Sequence, residues 1–317
     1  MITNDIAQAV AALASGKLCA IPTETVYGLA ANALDESAVL RVFTAKDRPA
    51  DHPLIVHVAT AQDANEWIAE LPQWAIDLTA AVWPGPLTIV GTRTALASDL
   101  VTGGQGTVAV RVPSHPVAQE LLGKLKMQGV QGLVAPSANR FGHVSPTNAS
   151  HVLADLGEYL STNDDLILDG GDCQVGLEST IVLATGPEPV ILRPGAITLA
   201  DIERITGVAV ATTSTDAPRV SGSLDSHYSP LAKVVLIDAE STIEFGSAAG
   251  FLALAQVPTP TGLLRLGSPA TIDDFAHELY GCLRAGDDLN LETIYVVQPV
   301  GQGLAQAIND RLQRAAF

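Results

Sequence analysis

Eight short apolar runs punctuate the first two thirds of the chain and constrain its fold more than any other feature. They are Leu18–Ile21, Leu54–Val58, Leu87–Val90, Val108–Val112, Gly132–Ala135, Leu166–Leu168, Thr180–Leu183 and Val190–Leu192. Runs of this length between polar, Gly and Pro residues read as strands. Between several of them, apolar residues recur at helical spacing, as in Ser37–Phe43 and Pro116–Leu125, and a first helix over Ile6 to Ala14 is stopped by Gly16. The pattern is α/β. Only Ala184 to Pro189, with its Gly-Pro pair, separates the last two runs, which predicts local antiparallel pairing in a mixed sheet rather than a purely parallel one.

At 317 residues the chain exceeds the usual size of one core, so a second domain is expected. Residues 208 to 228 are rich in Thr, Ser, Gly and Pro without periodicity, the best linker candidate. Beyond it come a strand at Val234–Ile237, a helix over Phe275–Leu283, a strand at Ile294–Val297 and a helix over Leu304–Ala315. The expected division is 1–205, a linker at 206–230, and 231–317. With 47% apolar residues, sizeable cores are possible. The 34 acidic against 17 basic residues repel polyanions, so any anionic ligand needs a local basic site. Cys19, Cys173 and Cys282 lie far apart without metal-ligand spacing and read as buried thiols of a reducing compartment. The chain opens without a basic, apolar leader and contains no membrane-length apolar stretch, so a cytoplasmic location is expected.

Five stretches can carry chemistry. Ile21-Pro-Thr-Glu-Thr-Val-Tyr-Gly-Leu is a strand entering a turn with hydroxyls and a carboxylate at its tip; a ligand site and an ordinary turn with a solvated Glu24 are both open. Lys46-Asp-Arg48-Pro sets two cations before a stiff loop, aimed at a polyphosphate or simply solvated. His57 sits inside an apolar run, and Arg111 inside a strand of small branched residues; the arginine requires an ion pair or a bound carboxylate. Pro136-Ser-Ala-Asn leads towards Ser145 or Thr147, either able to cap the helix that carries Ala149 and Val152. Last come Leu177-Glu-Ser-Thr-Ile-Val and, one hairpin later, Leu192-Arg-Pro-Gly. The common phosphate-loop, zinc and serine-hydrolase motifs are absent.

Taken in order, Pro22-Thr-Glu-Thr-Val-Tyr-Gly-Leu, Lys46-x-Arg-Pro with His52-Pro-Leu-Ile-Val-His, Arg111-Val-Pro-x-His-Pro, Pro136-Ser-Ala-Asn and Leu177-Glu-Ser-Thr-Ile-Val with Leu192-Arg-Pro-Gly resemble the YrdC family of threonylcarbamoyl-AMP synthases. The match spans roughly residues 3 to 200. Ser221-Gly-Ser-Leu-Asp-Ser-His-Tyr-Ser-Pro resembles the linker of the long, two-domain members, with Ser221-Gly where many have Pro-Gly, and Asn309-Asp-Arg-Leu-Gln-Arg-Ala-Ala resembles their C-terminal domain.

The resemblance implies a twisted mixed-sheet domain around a deep, locally basic cavity, capped by the linker and a small Rossmann-like α/β domain. It implies activation of L-threonine with bicarbonate and ATP, magnesium being held by the ATP phosphates rather than by protein ligands. Lys46 and Arg48 would bind the triphosphate and His52 would lie beside the nucleotide. Thr25, His57, Arg111 and Ser179 would hold threonine, Arg111 by its carboxylate. Ser137, Asn139 and Ser145 would meet the nucleotide or the reacting carbamate, and Thr107, Arg193 and Tyr228 would complete the ATP site. The labile product implies handover to a tRNA threonylcarbamoyl transferase, without stable tRNA binding by this chain. A carbamoyl transferase of hydrogenase maturation would need Cys pairs and further domains that the sequence lacks, and an RNA-binding module would need a basic face.

Overall fold

The computed structural model describes residues 1–211, 217–222, 227–238 and 248–317; parts of the expected linker and of the small domain therefore lie outside the described residues. Among the described residues the strands, in chain order, are β1 (Ile2–Thr3), β2 (Cys19–Ile21), β3 (Gly28–Asn32), β4 (Ile55–His57), β5 (Leu87–Thr92), β6 (Thr107–Arg111), β7 (Leu133–Val134), β8 (Leu166–Leu168), β9 (Thr180–Leu183), β10 (Val190–Arg193), β11 (Lys233–Ile237), β12 (Ala249–Leu252), β13 (Leu264–Gly267) and β14 (Thr293–Val297).

The first ten form one mixed sheet in the order β1-β8-β2-β3-β7-β4-β6-β5-β9-β10. Its last pair, β9 and β10, is antiparallel across Ala184 to Pro189, as the short connection requires. The remaining four form a second sheet, β11-β14-β12-β13, with every pair parallel. Parallel strands need crossover connections, and the helix Ile272–Asp288 lies between β13 and β14 in the chain. That helix and Leu304–Ala315 bury Phe275, Leu279, Leu283, Ile308 and Leu312 with Val234, Ile294 and Val296 in the second core. Among the described residues no helix is long and apolar enough to cross a membrane.

Four strands escaped the sequence reading, the first being the two-residue β1, too short to carry a pattern. In β3, Gly-Leu-Ala-Ala-Asn lacks the β-branched residues that mark strands; pairing with β2 and β7 holds it extended. The strands β12 and β13 contain glycine and lie in a sheet whose other members supply the apolar signal. The helix after Pro146 is capped by Asn148, whose side chain accepts from the His151 amide at 3.0 Å, and not by Ser145 or Thr147. Asn is as good a cap as Ser, and Ser145 is committed elsewhere.

Candidate active site

Register brings the separate stretches together. On parallel neighbours β4 and β6, His57 pairs with Arg111; across the antiparallel β5–β6 pair, Arg111 stands opposite Thr88; and β9, which Ser179 precedes, is the next strand. Thr88 and Ser179 share a hydrogen bond of 2.7 Å between their hydroxyls. Gly28 at the start of β3 forms an antiparallel bridge with Ser137, so the first turn and the Pro-Ser-Ala-Asn stretch are adjacent. A Cβ on Gly28 would lie 3.0 Å from that of Ala135, so glycine permits this approach.

Thr25, His57, Arg111, Ser137, Ser179, Arg193 and Tyr228 all line one cavity, partly open to solvent. Gly222 and His227 of the linker border it as well. Thr107 lies in an adjoining crevice, which shares Ile55 and Ser221 with the main cavity.

Each charged group has a defined partner. Arg111 donates from Nη1 to Thr25 Oγ1 at 2.8 Å, and its Nη2 lies 2.7 Å from Glu24 Oε1 in an ion pair off the hydrogen-bond axis. Glu24 is 2% exposed and so is no solvated turn carboxylate. Burial pushes its pKa up, but Arg111 and neighbouring hydrogen bonds outweigh burial, and the net shift is downward. Of the two alternatives for Arg111 the structure shows the internal ion pair, and its Nε finds no hydrogen-bond partner among the described residues.

His57 contacts the Ile55 carbonyl through Nδ1 at 3.2 Å, which puts the proton on Nδ1 and leaves Nε2 as acceptor. Burial, with Arg111 beside it, pushes its pKa down to about 3, so the ring is neutral. Arg193 donates from Nε and Nη2 to the Ser179 carbonyl and from Nη1 to that of Ser221 at 2.9 Å, tying β10 to both the Ser179 turn and the linker.

The two cations of the second stretch are buried too, but they are not among the residues lining this cavity, nor are His52, Asn139 and Ser145. Lys46 is 1% exposed, and its ammonium donates to the carbonyls of Ser137 and Asn139, both at 2.5 Å. Arg48 donates to the Pro53 carbonyl at 3.0 Å and stacks 5.5 Å from the Phe141 ring centroid. Rings then run from His52 through Phe141 and His227 to Tyr228, with centroid separations of 5.4, 6.1 and 4.1 Å. Asn139 donates to the carbonyls of Arg140 and His143, fixing its own loop.

This arrangement has close counterparts. The family model described as Telomere recombination, covering Sua5, YciO and YrdC, matches residues 11–195, and that described as Threonylcarbamoyl-AMP synthase, C-terminal domain, matches residues 197–317. A threonylcarbamoyl-AMP synthase of Pyrococcus abyssi is 37% identical over 95% of this chain and 91% of its own, and one of Bacillus subtilis is 35% identical over 99% and 94%. The chain belongs to the threonylcarbamoyl-AMP synthase family. The crystal structure of P. abyssi Sua5 complexed with L-threonine superposes with a TM-score of 0.87 at 34% identity, covering all of this chain and 97% of that one.

Sequence reasoning gave no role to two buried groups that the family fold places at this cleft. Glu178 is 6% exposed and borders the cavity. Its carboxylate accepts from Ser145 Oγ at 2.6 Å, Tyr280 Oη at 2.8 Å and Arg311 Nε at 2.9 Å. Arg311 is 1% exposed, on the last helix of the chain. The signal available was a charged residue in the apolar Leu177 to Leu183 segment; Tyr280 and Arg311 lie over 100 positions downstream, beyond any local pattern.

Proposed function

We propose that this chain converts L-threonine, bicarbonate and ATP into L-threonylcarbamoyladenylate and pyrophosphate, supplying the threonylcarbamoyl group for tRNA adenosine modification. The observation that carries this reading is the register of β4, β6, β5 and β9, which aligns His57, Arg111 and Ser179 on one cavity wall, with Arg193, Tyr228 and Ser137 lining the same space.

Threonine lies between Thr25, His57, Arg111 and Ser179. Arg111, already fixed by Thr25 and Glu24, turns its free Nε edge to the substrate carboxylate. The neutral His57 accepts at Nε2 and adds no charge to the site. The amine adds to CO₂ with loss of a proton, or displaces water from bicarbonate, to give N-carboxy-threonine; the new carboxylate attacks the α-phosphorus of ATP, and pyrophosphate leaves. Lys46 and Arg48 neutralise the triphosphate, with His52 beside the nucleotide and Thr107, Ser137, Asn139, Ser145, Arg193 and Tyr228 completing the nucleotide site. Such a reaction is accelerated mainly by position and charge neutralisation. Magnesium would arrive as the ATP complex and be held mainly by phosphate oxygens and water.

Residues 1–205 are read as the catalytic unit, 206–230 as a linker across the cleft and 231–317 as the covering domain. The excess of 34 acidic over 17 basic residues supports handover of the labile adenylate to a transferase rather than tRNA binding by this chain. Three buried free thiols support a reducing, cytoplasmic setting. The test is pyrophosphate release with ATP, magnesium and bicarbonate: it should depend on threonine, and release that ignores threonine sinks the reading.

A further inference from the structure

Glu178 stands where the two sheets' domains meet, and the contacts around it run in one direction. From the second domain, Tyr280 on the helix Ile272–Asp288 and Arg311 on the helix Leu304–Ala315 both donate to Oε2. From the first, Ser145 donates to Oε1. Arg311 also donates from Nη2 to the Pro194 carbonyl at 2.9 Å. Pro194 is followed by Gly195, whose backbone packs so tightly on residues 178–180 that a Cβ there would lie 2.5 Å from the Thr180 amide. The Ser179 turn is therefore gripped on its carboxylate side by the second domain and on its carbonyl side by Arg193. Ser145 is gripped twice as well: by Glu178 through its hydroxyl, and along its backbone by Arg284, which donates to the Val144 and Ser145 carbonyls and pairs with Asp155.

We infer that the second domain is a positioning element of the active site: Arg311 and Tyr280 hold the Glu178 carboxylate, which in turn fixes the Ser179 turn and the direction of the Ser145 hydroxyl. This deepens the threonine-activation reading and rests on it.

One chemical consequence concerns Ser145. Its single hydroxyl proton is given to an ionised carboxylate, so it presents only lone pairs to a ligand. It can accept from a ribose hydroxyl or a carbamate N–H, but cannot donate to a phosphate. The carboxylate stays ionised because Arg311, Arg193 and the Ser145 hydrogen bond overcome burial and bring its pKa down to about 2. The other groups that face it are the Tyr280 and Tyr228 phenols, the neutral His227, and Asp310 behind Arg311.

The experiment uses the full chain and measures threonine-dependent pyrophosphate release against threonine concentration and pH. Tyr280→Phe removes one oxygen and keeps the ring that stacks 5.7 Å from Tyr228, so it should fold. Arg311→Gln removes the charge, and Arg311→Lys restores it without the fork. We expect Tyr280→Phe and Arg311→Gln to raise the KM for threonine at least 10-fold with a smaller change in kcat. In Arg311→Gln an acid limb should enter the pH profile of kcat/KM, because Glu178 loses its main cation, and Arg311→Lys should move that limb back. Glu178→Gln combined with Tyr280→Phe should cost little more than Glu178→Gln alone, since both break one relay. A lower Tm with unchanged threonine KM and pH profile in Tyr280→Phe, Arg311→Gln and Glu178→Gln alike overturns the relay and leaves the activity standing. A wild-type chain without threonine-dependent release overturns the activity, and the relay with it.

Discussion

Around the residues that line the cleft stand two walls of buried charge, built in opposite ways. On one, Lys46 and Arg48 hydrogen-bond only to carbonyl oxygens and have no carboxylate within ion-pair distance among the described residues. Burial drives the Lys46 ammonium well below the usual lysine range and Arg48 to about 10. On the other, Arg111 faces Glu24 and Arg311 faces Glu178, and the carboxylates are held below their usual range. A buried charge without a counter-charge is costly unless a ligand supplies one, whereas a paired charge is already oriented. On the function proposed above, the first wall would take its counter-charge from the triphosphate, whereas the second already holds its own.

The largest effect should come from emptying the unpaired wall. Lys46→Ala should keep the fold and lose about 3 kcal/mol or more of transition-state stabilisation, on the order of 10²-fold in kcat/KM, with bound ATP weakened in parallel by calorimetry. Wild-type turnover would remove Lys46 from the chemistry and erase the contrast between the walls.

Next comes the paired wall, where loss should appear in stability as well as activity. Arg111→Gln leaves Glu24 buried without its cation and should destabilise by about 3 kcal/mol, read as a lower urea midpoint. The double variant Glu24→Gln, Arg111→Gln should recover much of that stability while threonine binding stays lost. If the double variant is no more stable than the single one, the pair is not the reason these charges tolerate burial.

How far the contrast was legible in sequence differs between the walls. Arg111 in a branched strand stood out because a charge there must be paired or bound, whereas His57 in an apolar run read first as an ordinary core histidine. Lys46 and Arg48 showed as a pair of cations, but their depth did not, since nothing local says that residues 137 and 139 wrap over the lysine. Glu178 looked like any charge in a motif. Its meaning lies in Tyr280 and Arg311, which reach it through tertiary packing. The same limit hid β3: its small residues carry no strand preference, and pairing on both sides decides its conformation.

A pH titration separates the walls at smaller amplitude. His57 beside Arg111, and His227 near Lys46 and Arg48, are both pushed by burial down to about 3. Between about pH 3 and 6.5 the unfolded chain binds protons on these rings that the folded chain does not, so stability rises with pH across that window and is complete above 6.5. At pH 5 each ring should cost on the order of 2 kcal/mol. Glu178, with its folded pKa of about 2, adds a further loss only as pH falls below the ordinary carboxylate range. Urea midpoints at pH 7, 6 and 5 should therefore fall before carboxylates titrate, and a flat series would mean that these imidazoles are not buried as neutral groups.

The smallest effect tests whether position near the cleft matters without a contact to it. Asn148 lies three residues from Ser145 and caps its helix through the His151 amide. Asn148→Ala should cost about 1 kcal/mol of stability and leave the KM for threonine and ATP unchanged, because the cap faces the helix and the relay runs through Ser145. Ser145→Ala should behave in the opposite sense: it leaves the cap intact, deprives Glu178 of a donor at 2.6 Å and shifts KM. Matching effects from the two substitutions would show that this loop responds as one body, and that the second domain grips the segment rather than the hydroxyl.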